Sequence, residues 1–190
     1  MQWHGLKLPV IFLAFVCGLA LAFGGQWGYQ EFTFQKPLNK VLAENNLVKD
    51  FKVEEKENRS VVQVTLSGNE GNLMTAYQEL NQLTSQVMGK KPFVLEIVSN
   101  PDPSLEQAYY ESHFVIYQAQ VAGNFPEVAR KVEETAQKYG AEGKVYVDEH
   151  NLYIQISEPD GHYLNKIIPR YGGQDQIATL QGGGPVAQGN

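Results

Sequence analysis

Cysteine is nearly missing from this sequence. Cys17 stands alone, so no intramolecular disulfide can form and the fold must be held by its core. Basic residues are also scarce, with 15 Lys and Arg against 21 Asp and Glu and a formal net charge of −6. Protein–nucleic acid affinity comes largely from phosphates neutralised by such residues, so we expect no nucleic acid partner and no polybasic membrane-surface patch. The signatures of common chemistries are absent as well. No G-x-S-x-G, S-x-x-K or H-E-x-x-H pattern occurs, and Gly172-Gly173 and Gly182 to Gly184 do not join a strand to a helix as a phosphate loop would. We therefore expect no catalytic residue, no cofactor and no metal. The nearest approach to a carboxylate–imidazole set is Asp148, His150, Asp160 and His162, which would have to be gathered from two separate turns. Polar turns collect such residues without a metal, and the adjacent pairs Glu54-Glu55 and Glu133-Glu134 read as solvated faces.

What is present is a long uncharged run, Leu8 to Phe23 (LPVIFLAFVCGLALAF). As a helix it would span roughly 27 Å counted to Gly25, slightly short of a bilayer core, with Trp3 before it and Trp27 and Tyr29 after it placed as headgroup anchors. We expect residues 8–25 to be a retained single-pass membrane anchor. Lys7 and the α-amino group precede the run and the first later charge is Glu31, so the N-terminus is expected in the cytoplasm and the remainder outside. The competing reading is a cleaved signal, with Ala20-Leu21-Ala22 as the cleavage site and a secreted protein as the product.

Beyond a linker over residues 26–36, the periodicities predict an α+β protein in two small units. In the first, residues 37–99, a short helix from Pro37 is followed by a hairpin carrying Phe51, Val53, Val62, Val64 and Leu66. An amphipathic helix from Leu73 to the stop at Gly89 comes next, then an almost wholly apolar strand, Phe93 to Val98, that reads as buried on both faces. Asn100 to Pro103 (NPDP) marks the boundary. The second unit, residues 104–170, opens with a helix to Ala122 capped by Ser104 with Gln107, followed by a helix recapped by Asn124 with Glu127. A hairpin carrying Val145, Val147, Leu152, Ile154 and Ile156 comes next, and His162 to Ile168 reads as a third strand or one helical turn, of which the strand is preferred. Residues 171–190, rich in Gly and Gln, are expected to be disordered.

FKVEEKENRSVVQVTLSG (Phe51 to Gly68) and KVYVDEHNLYIQISEPDG (Lys144 to Gly161) share a faint hairpin pattern, each after a helix; an internal repeat would produce it, and so would two hairpins converging on the same alternation. The α-β-β-α-β order of the first half is similar to that of the small ring-building and BON-type modules of bacterial membrane assemblies; the resemblance is one of element order, and no residue role is carried over.

The helix from Ser104 is apolar most of the way round, which marks it as buried on several sides or as meeting a partner. Tyr109, Tyr110, Phe114 and Tyr117 are the candidate contacts, because tyrosine and phenylalanine supply interface energy at low entropy cost; the same rings would equally serve as core. His113 sits among them and is expected to be a partly buried histidine with its hydrogen bonds satisfied in the core. These features lead us to expect a membrane-anchored extracytoplasmic interaction or assembly module without catalysis, with a protein partner or self-association. The alternative is an exported ligand-binding or sensor domain with its pocket between the halves, near the NPDP boundary.

Overall fold

The computed structural model describes residues 12–19, 21, 34–56, 59–68 and 71–170. Residues 12–19 are helical (α1) and are followed by α2 (Lys36–Ala43), β1 (Val48–Lys56), β2 (Arg59–Leu66), α3 (Leu73–Met88) and β3 (Phe93–Ile97). The second half runs α4 (Pro103–Ala122), α5 (Phe125–Lys138), β4 (Glu142–Val147), β5 (Asn151–Ser157) and β6 (Tyr163–Pro169). The protein is thus α+β with two three-stranded sheets, ordered β1-β2-β3 and β4-β5-β6. The predicted tail lies outside the described residues, as does most of the predicted anchor. Among the described residues no helix is long and apolar enough to cross a membrane.

Each sheet begins with the predicted hairpin. In β1–β2, Val53 pairs with Val62 and Lys52 with Gln63; in β4–β5, Val145 pairs with Ile154 and Lys144 with Gln155. The strings Val62-Gln63-Val64-Thr65 and Ile154-Gln155-Ile156-Ser157 therefore occupy the same register, so the repeat seen in the sequence extends to the pairing. The third strands differ. After β2 the chain crosses over through α3 and returns as β3 parallel to β2, whereas after β5 a short turn around Gly161 sends β6 back antiparallel.

Two cores result. In one, α4 and α5 cover a face of the second sheet, with Leu105, Ile116, Val128 and Val132 against Leu152, Ile154, Ile156 and Leu164. In the other, Leu38 and Leu42 of α2 and Leu73, Leu80 and Met88 of α3 cover Val62, Val64 and Leu95 of the first sheet. Tyr153 belongs to this second cluster although it lies on β5, and Tyr146 and Ile167 pack at its margin, so α3 is in contact with both sheets. Asn100 and Tyr163 exchange backbone hydrogen bonds of 2.9 and 3.1 Å, and the Asn165 amide donates to the Ser99 hydroxyl at 2.9 Å, which ties the end of the β3 chain to β6.

This packing corrects the reading of the strands. Phe93 to Val98 is not buried on both faces: only Leu95 is fully buried, while Glu96 and Val98 are exposed, because β3 is an edge whose outer face has no covering layer. The strand buried on both faces is β5, where Leu152 through Ile156 are all buried. Leu152, Ile154 and Ile156 face α4 and α5, and Tyr153 on the other side enters the core of the first unit. The start of α4 also shifts. Asp102 is the cap, accepting from Leu105 N at 2.9 Å, and Pro103 fills the first helical turn, where its missing N–H costs nothing. Ser104 is freed for other bonds, and Asn124 makes no side-chain cap on α5.

Gly143 marks the closest approach of α5 to β4. A Cβ built there would sit 2.7 Å from the Val132 carbonyl oxygen and 3.0 Å from the Ala136 Cβ, so even a methyl forces the helix off the strand. Gly143→Ala should cost about 1–3 kcal/mol by overpacking, read as a lower denaturation midpoint.

Candidate functional site

α4 divides lengthwise. Leu105, Ala108, Ser112, Ile116 and Ala119 recur at helical spacing and are buried against α5 and the sheet. Ser112 and Thr135 are 2.7 Å apart in the seam between the helices; one hydroxyl donates to the other, which donates to a carbonyl of its own helix, so both buried hydroxyls are satisfied. Gly123, at φ 73°, ends the helix in the left-handed conformation and turns the chain into α5.

The opposite side carries Tyr110, Phe114, Tyr117 and Val121, which are 62%, 74%, 61% and 85% exposed. Four large apolar side chains in one row, open to solvent, need an explanation that isolated ones do not. His113 lies among them. It donates its Nδ1 hydrogen to the Tyr110 carbonyl and stacks on the Tyr110 ring at 4.7 Å between centroids, with Phe114 at 3.9 Å. These contacts order the rings on the surface without burying them. The four aromatic residues proposed from sequence therefore separate: Tyr110, Phe114 and Tyr117 are on the open face, while Tyr109 is half-buried against the core with Lys166 5.8 Å from its ring centre. Val121, an apolar residue of the same helix outside the four candidate contacts, completes the row. Its signal was the continuation of the 110, 114, 117 spacing by one further step.

Beside this row Glu111 ties α4 to α5. It accepts from Tyr139 Oη at 2.7 Å, from Lys138 Nζ at 2.9 Å and from Gln107 at 3.3 Å. The Tyr139 hydrogen bond first, then that of Lys138, holds its carboxyl down at about 2.

The four-residue carboxylate–imidazole set does not assemble. Asp148 and His150 lie in the β4–β5 turn, Asp160 and His162 in the β5–β6 turn, and the seven residues of β5 separate them by roughly 20 Å. At the far turn, ligand-type atoms of Glu158, Asp160 and His162 lie within 4.8 Å of one another. His162 Nδ1 is 3.0 Å from Asp160, and that hydrogen bond is the main cause of its raised pKa. Ser104 Oγ lies 2.6 Å from Glu158 and 2.7 Å from Asp102, one hydrogen shared between two carboxylates, so this turn is fastened to the start of α4.

Asp148 serves the structure at the other turn. Its carboxylate accepts from the amides of His150 (2.8 Å) and Asn151 (2.7 Å), from Tyr153 Oη (2.7 Å) and from Gln78 Nε2 (2.8 Å), joining α3 to the second sheet. Burial opposes its charge, but these hydrogen bonds outweigh burial and leave the carboxyl below its ordinary 3.8. Burial first, and then the bond to Asp148, raises Tyr153. A carboxyl depressed in the folded state contributes stability that is present above its unfolded value, near 3.8, and is lost as pH falls through the folded value. Asp148→Asn should therefore lower stability at neutral pH and flatten the acid limb of a stability–pH curve below about pH 4.

Between the halves lies a cleft of about 1140 Å³, walled by Leu47, Leu66, Asn72 and Ala76 on one side and Lys144 and Glu158 on the other. Its walls do not include residues 100–103, so a cleft between the halves exists but away from the NPDP boundary. No family model matches the chain, and no curated protein sequence is significantly similar to it. The fold and the exposed row on α4 define its class: an α+β protein of two small sheets presenting a bare aromatic helix.

Proposed function

We propose that this chain is a single-pass membrane-anchored module that works outside the cytoplasm through protein contacts, without catalysis of its own. The observation that carries the reading is the row Tyr110, Phe114, Tyr117 and Val121, an apolar face on a helix whose other side is already fully packed. Water contact at four such side chains is relieved by association. The tether is supported by α1: each of residues 12–19 is exposed, including Phe12, Leu13, Phe15, Val16 and Leu19, so this helix finds no cover in the protein's own cores. A bilayer is the environment that suits it, and the charges around residues 8–25 favour a cytoplasmic N-terminus.

Protease accessibility on intact and permeabilised cells tests the reading. The full-length chain should fractionate with the membrane and lose its C-terminal domain to protease added outside. A soluble chain shortened to the residue after Ala22 would overturn the anchor. The cleft of about 1140 Å³ supports a second reading, an exported ligand-binding or sensor domain, because its walls come from both halves and combine Lys144 and Glu158 with Leu47, Leu66 and Ala76. A melting temperature raised by a small-molecule set, and no longer raised after Ala76→Trp fills the cleft, would favour it.

A further inference from the structure

We propose that the partner of the α4 face is a second copy of this chain, docked antiparallel about a two-fold axis that passes between Phe114 and Tyr117. This deepens the interaction-module reading and rests on it.

The argument begins with spacing. The exposed residues 110, 114, 117 and 121 are separated by four, three and four positions, and this series is the same read in either direction. Such spacing keeps a row on one side of a helix and is the seam used by paired helices. A palindromic row is self-complementary under a two-fold rotation, as an isologous interface must be. Laid antiparallel on its copy, Tyr110 meets Val121 and Phe114 meets Tyr117, so each ring faces an apolar side chain at both ends.

Charge permits the pairing. α4 carries no lysine or arginine, and its acids are Glu106 and Glu111. In the antiparallel register Glu111 falls opposite Gln120 and His113 opposite Gln118, while Glu106 lies beyond the end of the partner helix at Ala122, so no two like charges of α4 are brought together. A parallel pair would instead set Glu106 beside Glu106 and Glu111 beside Glu111. Glu111 is also already neutralised by Lys138 of its own chain.

Area is sufficient. Rings that offer about 150–250 Å² each, at the exposures observed, present with Val121 about 500 Å² per copy and about 1,000 Å² for a pair when wholly covered, which meets the lower threshold for a biological interface and matches the small, exchangeable class. An apolar patch of about 500 Å² also stands near the top of the range for monomers. The rings are already ordered by the stack through His113, so little freedom remains to be lost on docking.

The experiment uses the full-length protein in detergent, with its oligomeric state read by sedimentation. A dimer is expected. Phe114→Glu should convert it to a folded monomer with an unchanged circular-dichroism spectrum and a melting temperature that no longer depends on protein concentration, whereas Val147→Glu, at another exposed apolar position, should leave the dimer intact. Should Phe114→Glu misfold, Tyr117→Ser carries the same test. In a Cys17→Ser background, differently tagged Phe114→Cys and Tyr117→Cys chains should oxidise to the mixed adduct in preference to either self-adduct. A monomeric wild type, a dimer indifferent to Phe114→Glu, or a preference for self-adducts each overturns the proposal. A photo-reactive side chain at position 117 then separates the causes. Adducts with a different protein, on a monomeric chain, sink the second copy and leave the interaction-module reading standing. Adducts with lipid or with this chain's own N-terminal segment, or none, sink both.

Discussion

Tyr153→Ala should be among the most damaging single substitutions in the protein, costing about 3–5 kcal/mol. Tyr153 is fully buried, lies on β5 of the second sheet and packs in the core built by α2, α3 and the first sheet, with Tyr77 5.8 Å away between ring centres. Its removal leaves a cavity where the halves meet. It also strips the phenol from Asp148, whose carboxylate then keeps its bonds from Gln78 and the two turn amides with one fewer donor. Tyr153→Phe isolates that second effect: the ring remains, and the loss should be about 1–2 kcal/mol from the hydrogen bond alone. Urea denaturation followed by fluorescence measures both. A loss for Tyr153→Ala no greater than for Tyr153→Phe would mean that the ring does not join the two cores.

The second large effect is a contrast between two glutamines. Gln63 and Gln155 occupy equivalent positions in the two hairpins, opposite Lys52 and Lys144 respectively. Gln63 is half-exposed and donates to Glu96 at 3.0 Å, whereas Gln155 is 2% exposed. Gln63→Lys places a cation in water beside an acid and should change stability by no more than about 0.5 kcal/mol. Gln155→Lys buries a cation with Lys144 across the strand. We expect at least about 3 kcal/mol of destabilisation, relieved as pH rises and the buried amine gives up its proton. Equal, small effects at both positions would contradict the burial of β5 on both faces.

The same contrast explains what was readable beforehand. The hairpins, α3 with its stop at Gly89, and α4 ending at Gly123 were legible because period and punctuation are local properties. For His162 to Ile168 the sequence leaves a strand or one helical turn, and the stretch is β6, from Tyr163. The error over Phe93 to Val98 arose because hydrophobicity reports what a strand tolerates, while burial depends on what covers it. Tyr153 and Gln155 alternate outward in the sequence of β5 and become interior only when α3 arrives from the other half. On α4 the sequence offered too many apolar residues for one face. It could not divide them, since Tyr109 and Tyr110 are neighbours in the chain and differ only in which side α5 and the sheet take. The carboxylate–imidazole set failed for a simple geometric reason, the length of β5 between its two turns.

By itself the amino-acid sequence determined the α+β class, the two hairpins, the helix stops, the acidic balance and the exclusion of an intramolecular disulfide, because each follows from residue types alone or over a few turns of chain. Tertiary structure alone decided that the second sheet is covered on both faces, that Asp148 joins α3 to the β4–β5 turn, and that Tyr110, Phe114, Tyr117 and Val121 are left bare, because burial is a property of which surfaces meet and those surfaces come from residues far apart in the chain.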